Sequence, residues 1–450
     1  MNVAESLTAY ERIGVLGLGV TGLSAAHFLL QHGTQPILLD TREDAAKRLV
    51  KEPALRQCEL HCGTLKLEVL LGLDLVILSP GIALTDPAML MARDAGVEFI
   101  SDIELFARLV EVPVLAVTGS NGKSTVVSLL THMLKQCGRK VGLGGNIGTP
   151  ALSLLADDYD CMVLELSSFQ LEQTYNLELA AACVLNISAD HMDRYATLES
   201  YSQTKNRIYR KSQVLIFNRD DHRTLPLRVR ALQHIVSFGS DDNEHYFGLS
   251  MENGEEFISF AGQPLVATDA IPLAGEYNKL NVMAALALAG ALGINLEQAA
   301  QAALSFEALE HRCQLIKHAN GIRWVNDSKA TNVGATKAAI NGLRGDVTGK
   351  LILIAGGDAK GADLRELKGT LEQVDELITL GRDGPALAAL KANAQQVESL
   401  ADAVKRAASL ATQGSLVLLS PACASLDMFN DYTQRGDVFR AAVEALHGRT

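Results

Sequence analysis

Val114-Leu115-Ala116-Val117-Thr118-Gly119-Ser120-Asn121-Gly122-Lys123-Ser124-Thr125 is a β-branched apolar run that breaks into glycine-bracketed polar residues just before a helical pattern. This order of residue types makes a phosphate cradle. Glycines let backbone N–H groups turn inward on phosphates, Lys123 reaches the terminal phosphates, Ser124 or Thr125 ligates Mg²⁺, and the new helix faces the anion with its N-terminus. The common motif has a glycine five residues before that of the Gly-Lys pair. Here that position is Val117 and the glycine comes later, at Gly119. The alternative is an ordinary strand-to-helix turn, but strand, loop and helix all sit where the motif needs them.

Downstream, Val141-Gly142-Leu143-Gly144-Gly145-Asn146-Ile147-Gly148 allows close backbone approach to a ligand. Cys161 to Gln170 places Glu165 in or at the end of an apolar strand, where a carboxylate needs a partner or a metal. Ala182 to Ile187 reads as a strand ending in Ser188-Ala189-Asp190-His191-Met192-Asp193. Parallel strands align their C-terminal ends along one sheet edge, so the phosphate loop, Glu165 and His191 converge into a Mg-nucleotide site. Lys205 lies on a helical stretch and by default is a solvated lysine. Residues 241–270 alternate short apolar bits with Asn-Gly and Gly-Gln turns, which predicts a small antiparallel hairpin set ornamenting the main sheet. Asn278 and Asn281 share one face of the next, alanine-rich helix and could grip a base or ribose; capping plus a polar face is the plainer reading.

Upstream, Gly17-x-Gly19-x-x-Gly22 sits between a strand and a helix, with Asp40 closing the second strand. That is the dinucleotide fingerprint in its proper context, and it establishes a βαβ unit accepting a phosphorylated, ribose-bearing ligand. A second turn, Ser79-Pro80-Gly81, follows the strand at 73–78. At the other end, strands at 322–325, 351–355, 377–380 and 416–419 alternate with helical segments. Three of them run into polar loops, Asn326 to Asn332, Gly356 to Lys360 and Ser420 to Asp427, whose placement favours ligand contacts. The fold class is therefore α/β with three domains: a Rossmann-like unit at 1–101, a central P-loop-type ATPase domain at 102–308 with a parallel sheet plus a small antiparallel sheet, and a Rossmann-like unit at 309–450.

Composition bounds the function. At 450 residues and 48% apolar content, the chain can build about three cores. A net charge of −12 with no Lys/Arg block disfavours nucleic acid and anionic membrane. Met1 to Arg12 lacks the pattern of a secretion signal, and no apolar stretch reaches membrane-spanning length, so a cytoplasmic enzyme is expected. Seven scattered cysteines without a Cys-x-x-Cys pair read as reduced thiols, and Cys58-Glu59-Leu60-His61-Cys62 lacks the second ligand pair of a metal knuckle.

Taken together, these blocks resemble the Mur ligases over essentially the whole chain. The shortened loop Thr118 to Thr125, Glu165 to Gln170, Asp190-His191-Met192-Asp193-Arg194, His311-Arg312, Asn326 to Asn332 and Ser420 to Ser425 follow the family's order and spacing. The resemblance implies an ATP-dependent amide ligase of peptidoglycan precursor synthesis, acting as a monomer, that adds D-glutamate to UDP-N-acetylmuramoyl-L-alanine through an acyl phosphate. It implies UDP rather than NAD in the first domain, with Gly19, Val20, Thr21, Asp40, Thr41 and Gly81 around it. Asn146 and Ser167 would hold the rest of that substrate. ATP would meet Gly119, Ser120, Asn121, Gly122, Lys123, Ser124, Thr125, Asn278, Asn281, Arg312, Asp327 and Lys329. D-glutamate would meet Thr331, Lys360, Ser425 and Tyr432, the last at a position where the family often carries phenylalanine.

Two Mg²⁺ ions would be held by Ser124, Glu165, His191 and a CO₂-derived carbamate on Lys205, making Lys123, His191 and Lys205 the catalytic group. Tyr201-x-x-x-Lys205 matches the family pattern, although the spacing from His191 is one residue shorter. A folylpolyglutamate ligase would share the shortened loop but not need the N-terminal fingerprint. A dehydrogenase would leave the phosphate loop, Glu165 and His191 unused.

Overall fold

Short apolar runs that end in glycine or polar turns become parallel strands, and their ends build the functional edges. The structure, a computed structural model, describes residue 7 and residues 9–447 apart from 274, 308 and 346. Residues 1–6 and 448–450, and the expected boundary residue 308, lie outside the described residues.

The first sheet contains β1 (Ile13–Leu16), β2 (Ile37–Asp40), β3 (Leu60–Cys62), β4 (Leu75–Leu78) and β5 (Glu98–Ser101), ordered β3-β2-β1-β4-β5 with all pairs parallel. Strands β1, β2 and β4 are buried throughout, as expected of a sheet covered on both faces. The strand order reverses between β1 and β4, where a doubly wound sheet opens its crevice. The turn after β1 carries Gly17 at φ 92°, and a Cβ on Gly22 would lie 1.9 Å from the Gly17 carbonyl oxygen. These two positions therefore require glycine. Helix α1 (Val20–Gln31) starts directly from the turn.

The second sheet contains β6 (Val114–Thr118), β7 (Val141–Gly145), β8 (Cys161–Glu165), β9 (Leu179–Val184), β10 (Ser212–Asn218), β11 (His234–Phe238), β12 (Phe247–Glu252), β13 (Glu255–Phe260) and β14 (Gln263–Ala267). Its order is β14-β13-β12-β11-β10-β9-β6-β8-β7. Strand β6 pairs in parallel with both β8 and β9, and helix α2 (Lys123–Gln136) follows its loop. The antiparallel strands β12, β13 and β14 are continuous with the main sheet rather than separate from it. They join through a single parallel pairing, Phe238 with Phe247. Both phenylalanines are buried in the core that holds Leu115 and Val117, so burial fuses the hairpins to the edge.

The third sheet contains β15 (Gln314–Ala319), β16 (Ile322–Asn326), β17 (Leu351–Gly356), β18 (Glu376–Leu380), β19 (Gln395–Gln396) and β20 (Leu416–Leu419), ordered β15-β16-β20-β17-β18-β19. The four expected strands form its parallel centre. The two edge strands were not legible: β15 is polar and antiparallel to β16, and β19 has two residues.

Core packing divides unevenly. Residues of the first sheet (Val15, Leu38, Ile77) and of the second (Ala116, Met162, Leu164) belong to one buried cluster, whereas the third sheet has clusters of its own. The first two sheets are further tied by Glu104, fully buried, which accepts the Tyr175 and Asn176 N–H groups at 2.7 and 2.9 Å and Asn176 Nδ2 at 2.6 Å. Among the described residues no helix is long and apolar enough to cross a membrane. Cys58 is buried and Cys62 exposed, and no metal-holding group of three His, Cys, Asp or Glu occurs among the described residues.

Asp102 stands at the junction of the first two sheets with Oδ1 buried and unpartnered. Burial pushes its carboxyl up to about 7, against weaker help from the backbone N–H of Ile103. The folded chain thus keeps a proton that the unfolded chain releases near pH 4, so this residue's contribution to stability is present below that pH and lost as pH rises to about 7. Asp102→Asn is expected to stabilise the chain at pH 8 by a few kcal/mol more than at pH 4, measured by urea unfolding at the two pH values. Equal effects at both would contradict this.

Candidate active site

Three strand ends of the second sheet meet at the phosphate loop. Gly119 and Gly122 adopt φ 145° and 84°, and the loop turns straight into α2. Ser124, in the first turn of that helix, donates to Glu165 Oε2 at 2.5 Å. Asn146, beyond β7, donates to Glu165 Oε1 at 2.7 Å. Glu165 ends β8 at 2% exposure. Burial alone would raise its carboxyl, but the Lys123 cation and the bonds from Ser124 and Asn146 bring it below the ordinary value. Both hydrogen-bonding partners are neutral. A buried carboxylate beside a serine hydroxyl, both hard oxygen donors, fits a small divalent cation.

Lys123 Nζ folds back onto its own loop, donating to the Gly119 and Ser120 carbonyls, each at 2.8 Å. Burial lowers its affinity for a proton, and nearby Glu165 and Asp190 oppose that. Helix α3 (Leu198–Asn206) carries Lys205, which is not a surface lysine but is 1% exposed. Its Nζ is 3.4 Å from Thr118 Oγ1 and 4.6 Å from the centre of the Tyr201 ring, with no carboxylate in ion-pair range among the described residues. Burial, reinforced by the Lys123 cation, drives it well below an ordinary lysine. His191 follows β9 at φ 57°, edge-on to the Phe169 ring at 4.8 Å. Burial lowers its proton affinity despite Asp190, whose Oδ2 is 3.8 Å from Nε2.

A cavity of about 450 Å³ opens between this edge and the loops of the third sheet. The second-sheet residues Ser120, Asn121, Gly122, Lys123, Ser124, Thr125, Asn146, Glu165, Ser167, His191 and Lys205 line it. So do Asn278 and Asn281 on helix α4 (Glu276–Ala291), whose side chains bond each other at 3.0 Å. From the third sheet come Arg312, Asp327, Lys329, Thr331, Lys360, Ser425 and Tyr432. Asp327 is buried and pushed up to about 7 by that burial, with Ser420 Oγ donating to it at 2.9 Å. Lys329 sits 3.9 Å above the Tyr432 ring and is lowered to about 8 by burial and by Arg312. Lys360 pairs with Asp190 across the cavity.

Gly19, Val20, Thr21, Asp40, Thr41 and Gly81 are outside this cavity, grouped at the turns after β1, β2 and β4 of the first sheet. Val20 is 77% exposed there. Ser79 Oγ donates to the Gly17 carbonyl at 2.5 Å, which joins two of those turns. The Asp40 carboxylate is consumed internally: it accepts the Leu18 N–H at 2.7 Å and pairs with Arg42 at 2.5 Å. It therefore braces the glycine turn instead of presenting a free acid. Asn332, a residue of the Asn326 to Asn332 loop, enters the site by bonding Asn121 and Asp190. Its motif was visible, but a contact across more than two hundred positions of chain was not.

The family models match in the same order as the sheets. The Mur ligase MurD-like N-terminal domain matches residues 11–101, the Mur ligase middle domain 117–289, and the Mur ligase glutamate ligase domain 311–423. The chain belongs to the Mur ligase family. A UDP-N-acetylmuramoylalanine–D-glutamate ligase from Idiomarina loihiensis is 46% identical, covering 97% of each chain. That of Haemophilus influenzae is 44% identical over 98% of this chain and 100% of its own. Among solved structures, the MurF ligase of Thermotoga maritima in complex with ADP aligns with a TM-score of 0.63 at 16% identity, covering 99% of this chain and 100% of that one. The UDP-N-acetylmuramate–alanine ligase of the same organism gives 0.62 at 18%, covering 97% and 99%. At such identities these two report the shared Mur ligase fold.

A buried lysine with no carboxylate in ion-pair range among the described residues is a cost to this fold. Lys205→Met is expected to raise the unfolding free energy by about 1–3 kcal/mol in CO₂-depleted buffer, measured by urea titration. A loss of that size would show that Lys205 has a stabilising partner.

Proposed function

We propose that this chain couples ATP cleavage to amide formation between UDP-N-acetylmuramoyl-L-alanine and D-glutamate, in the cytoplasmic synthesis of peptidoglycan precursors. The observation carrying the reading is the single cavity that joins the phosphate loop and Glu165 of one sheet to the Thr331, Lys360 and Ser425 loops of another. The choice of substrates rests on relatives of that name at 44–46% identity over nearly the whole chain.

A carboxylate does not accept an amine directly, because its leaving group would be oxide. In this reading the alanyl carboxylate attacks the γ-phosphorus of ATP, ADP leaves, and an acyl phosphate forms. Lys123 swings from its own loop carbonyls onto the transferring group, offsetting its charge. Ser124, Glu165, His191 and Lys205 as a carbamate would hold Mg²⁺, two ions in all, supplying Lewis-acid stabilisation of the phosphates. The neutral Lys205 amine adds to CO₂ and loses a proton, giving the carbamate; its burial, reinforced by the Lys123 cation, favours that neutral amine.

Asn278, Asn281, Arg312, Asp327 and Lys329, with Gly119 to Thr125, would hold ATP. The UDP moiety would lie on the first-sheet turns, at Gly19, Val20, Thr21, Thr41 and Gly81, with Asp40 bracing them. Thr331, Lys360, Ser425 and Tyr432 would hold D-glutamate, whose carboxylate competes with Asp190 for Lys360. The deprotonated amine attacks the acyl carbon, and the tetrahedral intermediate expels phosphate. The proposed domain boundaries remain 101/102, between β5 and β6, and 308/309, ahead of β15.

Incubation with ATP, Mg²⁺ and UDP-N-acetylmuramoyl-L-alanine should release phosphate with D-glutamate but not with L-glutamate or meso-diaminopimelate. Lys123→Ala should lower that release at least about a hundredfold while the thermal midpoint stays unchanged. Retained substrate-dependent ADP formation in the variant would contradict the assignment. Lys205→Ala should be inactive and recover with short carboxylates; indifference to both the substitution and bicarbonate would contradict the carbamate.

A further inference from the structure

Asn332 contacts both walls of the cavity through one side chain. Its Oδ1 accepts the Ala335 N–H at 2.9 Å and so caps helix α5 (Val333–Arg344) of the third sheet. Its Nδ2 leaves that sheet altogether, donating to Asn121 Oδ1 at 2.9 Å in the phosphate loop and to Asp190 Oδ2 at 3.3 Å after β9. The residue is 4% exposed, so these donors have no water to fall back on. Asn121 is a firm anchor: its N–H donates to Asn186 Oδ1 at 2.9 Å, its carbonyl accepts Asn186 Nδ2 at 3.0 Å, and its Nδ2 donates to Ser188 Oγ at 3.2 Å.

Gly334 reports the same approach sterically. A Cβ there would lie 2.7 Å from Ser188 Oγ, 3.0 Å from Ser188 Cβ and 3.3 Å from Asn121 Nδ2. Glycine inside a helix destabilises it relative to alanine, so its presence two residues into α5 needs a reason other than helix formation. Close packing on the phosphate loop supplies one.

We infer that Asn332 and Gly334 are positioning residues that set the phosphate loop against the loop carrying Thr331, the first as a polar bridge and the second as a spacer. The inference rests on the ligase reading. Thr331 is adjacent to Asn332 in the chain, and Lys360 reaches the same Asp190. The bridge therefore aligns the incoming amine with the acyl phosphate. When it is lost, phosphoryl transfer continues but the amine is misplaced, and water takes the acyl carbon in its stead.

Two variants separate this from a merely structural role. Asn332→Ser retains a helix-capping oxygen but no amide to span the cavity. Gly334→Ala improves the helix while crowding Ser188. ADP, phosphate and amide product are measured together across D-glutamate concentrations, with thermal unfolding in parallel.

Both variants should lose far less in thermal midpoint than in amide turnover. Amide turnover should fall by about tenfold to a hundredfold. Phosphate released per amide formed should rise above one, and the KM for D-glutamate should rise more than that for ATP. Unchanged turnover with one phosphate per amide, or activity lost in proportion to the thermal midpoint in both variants, would overturn the inference. No amide product from the wild-type chain would instead overturn the ligase reading beneath it.

Discussion

The hydrogen bonds that Glu165 accepts from Ser124 and Asn146 tie together the ends of β8, of β7 and of the β6 loop with its helix. A carboxylate buried at the end of an apolar strand is costly unless its charge is met. Two neutral donors, with the Lys123 and Arg312 cations nearby, hold it ionised, below the ordinary carboxylate value. The arrangement is thus built to receive a cation and the anionic groups that travel with it. The phosphate loop, the Ser124 and Glu165 oxygens and His191 are brought together by ordinary parallel pairing of β6 with β8 and β9.

The same edge explains how the molecule divides its work. The first two sheets share one buried cluster and are clamped by Glu104, so the first-sheet glycine turns and the phosphate loop form one packed body. The third sheet has its own cores and meets the second largely through polar groups, among them Lys360 with Asp190 and Asn332 with Asn121. Polar contacts across a cavity are exchangeable with ligand groups in a way that an apolar core is not. A substrate carboxylate can take the place of Asp190 on Lys360 without unpacking either sheet.

Much of this was legible beforehand because it is local. The glycine turns at Gly17 and Gly119, the strand ends at Glu165 and Asp190, and helix α2 from Lys123 to Gln136 follow from residue order alone. What escaped depends on packing between distant segments. Strand β15 is too polar to read as a strand without β16 beside it. Lys205 is on a helix whose neighbours give no sign of which face is buried. Asp40 ends its strand as the fingerprint requires, yet Leu18 and Arg42 claim both its oxygens. Asn332 sat inside a recognised motif, and only the third sheet's approach to the phosphate loop revealed its bridge.

The central claim is that the substrate's own carboxylate attacks the γ-phosphoryl group held by this loop. Oxygen tracing tests it most directly: UDP-N-acetylmuramoyl-L-alanine labelled with ¹⁸O in the alanyl carboxylate is turned over with ATP and D-glutamate, and the released phosphate is weighed by mass spectrometry. The account predicts one ¹⁸O in each phosphate and the other retained in the amide carbonyl. Phosphate free of the label, with its new oxygen drawn from water, would contradict it.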